Sequence, residues 1–203
     1  DAILKAIGVQ SEKLTSKNGP FPGSNGWNEY AYWISGSSLT SFTAHWTVPS
    51  NPTSTYNGKQ VVFLFPALQD SGVNVIIQPV LQWGNSSAYV GNNWELASWM
   101  CVGCNTAGTT GTAYYSTAIS TTASHQISGS MNNDFGQTWT VTAQDTTSGT
   151  STYEQVSTGT NFIEANVALE SYGLPSQCGY LPGNSDFTSL SLSSSPTWST
   201  NTN

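Results

Sequence analysis

The chain has 203 residues, only 7% of them charged, with four Lys, no Arg and eleven acids giving a formal net charge of −7. An ordinary soluble domain is about 25% charged. Phosphate contacts need Lys and Arg to displace counterions. Lys5, Lys13 and Lys17 crowd the start and leave only Lys59 beyond, so nucleic acid is excluded as a partner. No apolar run approaches the ~20 residues that span a bilayer, so no membrane partner is expected.

Ser, Thr, Asn, Gln and Gly replace the missing charges, alongside eight Trp. A polar, uncharged surface stays hydrated when carboxylates protonate. This predicts a secreted, extracellular protein tolerant of acid, and a start at Asp1 reads as a processed end. The length suits one large all-β domain. A chain of this size folds without metal or disulfide staples.

In chain order, residues 1–20 read as an N-terminal arm or short helix. Ile3, Leu4, Ile7 and Leu14 fall roughly at helical spacing before Asn18-Gly19-Pro20. Residues 21–203 read as one β-sandwich domain. Strand signals begin at Trp27. Phe42, Ala44, Trp46 and Val48 alternate with Thr43, His45 and Thr47 up to Pro49. Val61 to Phe65 is a continuous apolar run, as in a strand buried on both faces.

Further strands are predicted at Val75–Trp83, Trp94–Met100, Gly111–Ile119, Thr138–Gln144, Thr152–Val156, Ala165–Leu169 and Phe187–Leu192. Turn-forming clusters separate them at intervals of roughly ten residues, which argues a sandwich or barrel. Asn85-Ser86-Ser87 is a glycosylation sequon in a loop, so an N-glycan at Asn85 is expected.

Cys101, Cys104 and Cys178 form an odd set. Cys101-Val102-Gly103-Cys104 admits a zinc half-site, a redox pair or a tight disulfide. Zinc lacks ligands, because the only His are His45 and His125, and a redox pair lacks its βαβ context. A loop disulfide is preferred, with Cys178 free or paired to one of the others. No metal and no cofactor are expected. No nucleophile motif accompanies either His, and His45 points away from the apolar face of its strand, toward solvent or a groove.

Two strands carry the chemistry. Side chains alternate across a strand, so Gln78 and Gln82 leave the same face of Val75–Trp83, opposite Ile77, Leu81 and Trp83. Glu164, Asn166, Glu170 and Tyr172 likewise leave one face of the later strand, opposite Ala165, Val167 and Leu169. Two carboxylates on one face stand out in a chain so poor in acids. A solvated sheet face would show the same pattern.

These residues resemble the eqolisins, acid glutamic peptidases with a concanavalin-like antiparallel β-sandwich of the jelly-roll type. Phe42 to Pro49 is similar to the family's Trp-x-Val-Pro strand, Ile76 to Trp83 to the strand of its catalytic Gln, and Phe187 to Leu192 to its last conserved strand. The resemblance implies Gln78 as the catalytic amide. It leaves two mappings for the base: Glu170, with Glu164 in reserve, or a substitution that puts Asn166 in the catalytic slot.

Phe65-Pro66-Ala67-Leu68-Gln69-Asp70 stands where the family has Trp-x-Gly-Ile-Asp-Gly. Ala97-Ser98-Trp99, with Glu95 nearby, replaces its Tyr-Glu-Trp segment. Gln69, Asp70, Gln82, Glu95, Trp99 and Asn166 are thereby candidates for substrate binding. The implied reaction has a Glu carboxylate activating water against a peptide carbonyl. The Gln78 amide donates to the oxyanion.

Three readings follow. The first is a secreted acid endopeptidase acting on protein or peptide. The second is a lectin-like sandwich that binds glycan, with Trp83, Trp94, Trp99, Trp139, Tyr89 and Tyr114 available for stacking. The third is a structural or defence protein without a small ligand. Asn166 opposite Gln78 would favour the second over the first.

Overall fold

A computed structural model describes residues 10–14, 26–56, 58, 60–103, 111–174 and 178–202. The described strands form two antiparallel sheets. The larger has nine strands, eight of them in the order β1 (Gln10–Leu14), β7 (Gly111–Tyr115), β6 (Trp94–Val102), β5 (Val75–Gly84), β4 (Val61–Asp70), β12 (Phe162–Tyr172), β2 (Trp27–Ile34) and β14 (Ser199–Thr202). The short β8 (Ile119–Ser120) pairs beside β6. The smaller sheet runs β11 (Thr150–Ser157), β10 (Thr138–Asp145), β9 (Gln126–Phe135), β3 (Ser41–Thr47) and β13 (Thr188–Leu192). One 3₁₀ turn, Cys178–Tyr180, is the single helical element among the described residues. None of the described helical structure is long and apolar enough to cross a membrane.

The alternation seen in the sequence builds the inter-sheet core. Phe42, Ala44 and Trp46 of β3 meet Leu64, Leu68, Ile77, Leu81, Val167 and Trp139 between the sheets. Gly129 of β9 sits at a close approach of the two sheets. A Cβ there would meet the Pro79 ring at 2.6 Å and the Trp46 ring at 2.8 Å.

A second apolar layer lies on the outer face of the larger sheet. It comprises Phe65, Ala67, Ile76, Val80, Ala97, Trp99, Tyr115 and Ala168, with Trp27, Tyr30 and Phe63 against it. That layer explains why β4, β5 and β6 are almost continuously buried. A strand covered on both faces cannot show polar alternation.

Three expectations change. Residues 10–14, expected within an arm or short helix, form an edge strand on β7, Gln10 opposite Tyr115. An edge offers unpaired backbone groups, and pairing there outweighs an uneven helical spacing. The rest of the arm lies outside the described residues.

The strand expected to end at Phe65 continues through Pro66 to Asp70. Proline is normally kept out of central strands because it lacks the N–H. The β4–β5 register runs Leu64 to Leu81 and resumes at Leu68 to Ile77, which puts Pro66 level with Pro79 in the gap between. Both missing donors fall in one interruption of the ladder. The stretch expected as one strand from Gly111 to Ile119 is divided into β7 and β8, with Ser116 bonded to Ser98 at the break.

Candidate functional site

The outer face of the larger sheet gathers most of the candidate residues in two rows. In the first, Trp99 of β6 pairs with Gln78 of β5, and Ala67 of β4 pairs with Asn166 of β12, whose other neighbour is Tyr32 of β2. The constant register on both sides of the proline gap sets Ala67 beside Gln78. Gln78 and Asn166 therefore stand level, two strand spacings or about 10 Å apart at the backbone. Only a methyl group separates them.

In the second row, Glu95 of β6 pairs with Gln82 of β5, which pairs with Phe63 of β4, which pairs with Glu170 of β12. Gln78 and Glu170 thus share a face but not a level. Glu170 lies four residues further along, roughly 13 Å by strand rise. Of the two mappings left open by the sequence, the register sets Asn166 rather than Glu170 across from Gln78.

The electrostatics of the rows differ. Asn166 is 0% exposed, and neither its amide nitrogen nor its oxygen makes a close hydrogen bond, leaving it only a looser interaction with the Glu164 carboxyl. A buried amide without partners forfeits about 1–3 kcal/mol. Gln82 is also fully buried. Its oxygen accepts from Ser86 Oγ at 2.9 Å, while its Nε2 is unpartnered.

Glu95 is buried, and its carboxylate accepts from Asn93 and from Ser120, both at 2.7 Å. Burial pushes Glu170 up to about 7, against the opposing hydrogen bonds from the Tyr172 hydroxyl and the Trp27 side chain. Burial also raises Glu164, with the nearby Asn166 amide opposing it. Tyr172 is held well above its ordinary range by burial and then by the Glu170 charge.

The remaining candidates divide by position. Gln69 lies on the same outer face, between Glu164 and Ile76. Asp70 does not serve this face. Its Oδ1 accepts from the backbone N–H groups of Asn74 and Val75 at 2.7 and 2.9 Å and fastens the β4–β5 turn.

Of the aromatics considered for stacking, Trp83, Trp94 and Trp139 are core between the sheets. Tyr114 packs toward that core too. Tyr89 bonds Asn93. Trp99 is on the site face, edge-on to Phe63 at 6.1 Å and tilted against Tyr115 at 5.0 Å.

The sequence did not reveal Trp27, Phe63, Tyr30 and Tyr115 as the walls of this face, although outward parity beside Gln78 and Glu170 was a usable signal. His45 sits on the outer side of the smaller sheet, between Ser128 and Thr188, away from both rows. Among the described residues no cluster of three metal-ligating side chains occurs. Cys104 lies outside the described residues, so the expected pairing with Cys101 does too.

No family model and no curated protein matches the sequence. Solved structures do match. Scytalidoglutamic peptidase bound to a peptide-based transition-state analogue superposes with a TM-score of 0.56 at 12% identity, covering 87% of each chain. A second structure of that peptidase, with a transition-state analogue inhibitor, gives 0.54 at 12% identity over 83% of this chain and 80% of that one. SCP-B, an eqolisin in complex with the tripeptide Ala-Ile-His, gives 0.54 at 13% identity over 87% and 86%. At such identities the likeness is one of fold, and in fold this chain distantly resembles the eqolisin glutamic peptidases.

Proposed function

We propose that this chain is a peptidase-like protein that holds an extended peptide on the outer face of its larger sheet without cleaving it at Gln78. The observation that carries the reading is the level pair Gln78 and Asn166. Gln78 is partly exposed and offers a donor and an acceptor to a peptide backbone, while Asn166, fully buried and without a close hydrogen bond, joins it once a ligand displaces the side chains that cover it. Water activation needs a group that accepts a proton within hydrogen-bond reach, and an amide in that place does not supply one. Asn166 opposite Gln78 is the arrangement expected of a glycan binder, but Trp83, Trp94 and Trp139 are taken up by the core and leave that reading short of stacking surfaces. The peptides bound by the structurally similar peptidases support peptide as the ligand class. The scarcity of charge supports a secreted protein. A glycan at Asn85 would first have to break the bond that this side chain donates to the Gly58 carbonyl.

A second reading, an acid endopeptidase of glutamic type using Glu170, is favoured by one observation. Glu170 is an acid raised to about 7 in the same row as the unpartnered amide nitrogen of Gln82. Phe63 stands between them, which counts against a shared water.

The test is fluorescence anisotropy of dye-labelled peptides from pH 3 to 7, with casein digestion measured in parallel on wild type, Gln78→Ala and Glu170→Gln. Saturable peptide binding weakened by Gln78→Ala, without digestion, supports the binding reading. Digestion abolished in Glu170→Gln supports the endopeptidase. Binding of neutral oligosaccharides with no binding of peptides would replace both with a lectin.

A further inference from the structure

The smaller sheet contains an acid that neither row uses. β11 alternates, with Thr152, Glu154 and Val156 turned inward and buried. Glu154 is 1% exposed, and both carboxyl oxygens lack a hydrogen-bond partner. It stands opposite Val141 of β10, whose inward neighbours are Trp139 and Ala143.

Across the interface β6 turns Leu96, Ser98 and Met100 to this side, with Ser98 Oγ donating to the Thr152 carbonyl at 3.3 Å. From β8 comes Ile119. Among the described residues, three other titratable side chains lie on this side of the sheets, one of them Asp70, which is fastened in the β4–β5 turn by the Asn74 and Val75 N–H groups. Asp145 ends β10 four residues beyond Val141 and is held by His125 and Thr121, and Tyr114 of β7 packs at the margin. No cation among the described residues stands against Glu154. An ionised carboxylate there would be both desolvated and unpaired, a state proteins avoid by keeping the proton.

We propose that Glu154 is a built-in alkaline limit: the sandwich closes most favourably with this side chain protonated, so folding below the alkaline range takes up a proton and the fold is set for acid surroundings. Burial pushes Glu154 up to about 8, against an ordinary 4.5 in the open chain. The sign follows from linkage. Between those values the folded state holds one more proton than the unfolded state. The unfolding equilibrium constant therefore rises about tenfold per pH unit from this group alone, and levels off above about pH 8.

Glu164 and Glu170 are also raised, but both lie on the outer face of the other sheet, away from Glu154. Their contribution is subtracted by comparison within one background.

The experiment is urea unfolding at half-unit intervals from pH 4 to 9 on the full chain, for wild type, Glu154→Gln and Glu154→Leu. Both variants should lose close to one proton of pH dependence between pH 5 and 8, and Glu154→Leu should be the more stable above pH 7. A wild-type slope retained in either variant would overturn the proposal. Should neither variant fold, isotope-edited infrared spectroscopy of wild type at pH 6 decides. A protonated carboxyl band for labelled Glu154 supports the proposal, and a carboxylate band defeats it.

Discussion

The Nδ1 atom of His125 lies 2.6 Å from Oδ2 of Asp145, a carboxylate with no solvent exposure at the end of β10. The same oxygen accepts from Thr121 at 2.7 Å, and Oδ1 accepts from the backbone of Thr147 and Ser148, both at 2.9 Å. One side chain thereby ties the 121–125 loop to the turn that leads into β11.

Burial alone would raise this acid. The hydrogen bonds of His125, Thr121 and Ser148 overcome it and bring Asp145 down to about 2. Its stabilisation is therefore complete above about pH 4 and disappears as pH falls through 2. Asp145→Asn should cost about 2 kcal/mol at pH 6 and almost nothing near pH 2, read from chemical denaturation at the two pH values. An equal loss at both would refute the assignment.

Asn166→Leu should raise the thermal midpoint, because it removes two amide atoms without a close hydrogen bond, worth about 1–3 kcal/mol, from a buried position. The same change should weaken peptide binding by about tenfold, the value of one hydrogen bond. Opposite movements of stability and affinity mark a residue kept for its ligand. Calorimetry and anisotropy on one sample provide the check.

Asn166→Glu sets a carboxylate level with Gln78, with Ala67 leaving room between. It should bring measurable casein digestion at acid pH to a chain whose wild type is expected to show none, and Gln78→Ala in that background should remove it. Continued inactivity of Asn166→Glu with intact folding would mean that the pair is too far apart to share a water.

Glu170 keeps its proton in the folded state to about pH 7. Its folded value lies above its unfolded value, so it favours the fold in acid and withdraws that help as pH climbs from about 5 to 7. Glu170→Gln should be flatter than wild type over that interval. Tyr172→Phe, which deletes the hydroxyl donating to Glu170, should push the carboxyl still higher, as followed by carbon NMR of the side chain.

Gly129→Ala tests the inter-sheet contact beneath the site. The added methyl would enter the rings of Pro79 and Trp46, and overpacking of this kind costs about 1–3 kcal/mol. Pro79 directly follows Gln78, so the variant should also lower peptide affinity. Lost stability with unchanged affinity would show that the two faces of β5 are independent.

The sandwich was legible because most of its strands alternate. β3 and β10 display their buried faces as clear period-two patterns. β9 was missed: Ile127, Gly129 and Met131 face inward, but a glycine and the polar run from Asn132 to Asp134 dilute the signal. β4 looked shorter than it is because one proline reads as a stop. Nothing in the sequence says that a second proline will stand opposite.

Which side chains share a face was readable from parity. Their level along the strands was not, since it depends on the ladder between chain segments far apart. Glu170 and Asn166 differ by four positions on one face, and parity treats them alike.

The ladders on both sides of β12 have a further effect. β4 grips it from Phe162 to Tyr172 and β2 from Glu164 to Glu170. Neither Asn166 nor Glu170 can slide against its opposite glutamine without unzipping two neighbours at once. The face is a fixed ruler, graduated at two marks about 13 Å apart. A guest that touches both must match that span with its own length, so short fragments would engage one mark and bind far more weakly than chains of five or more residues.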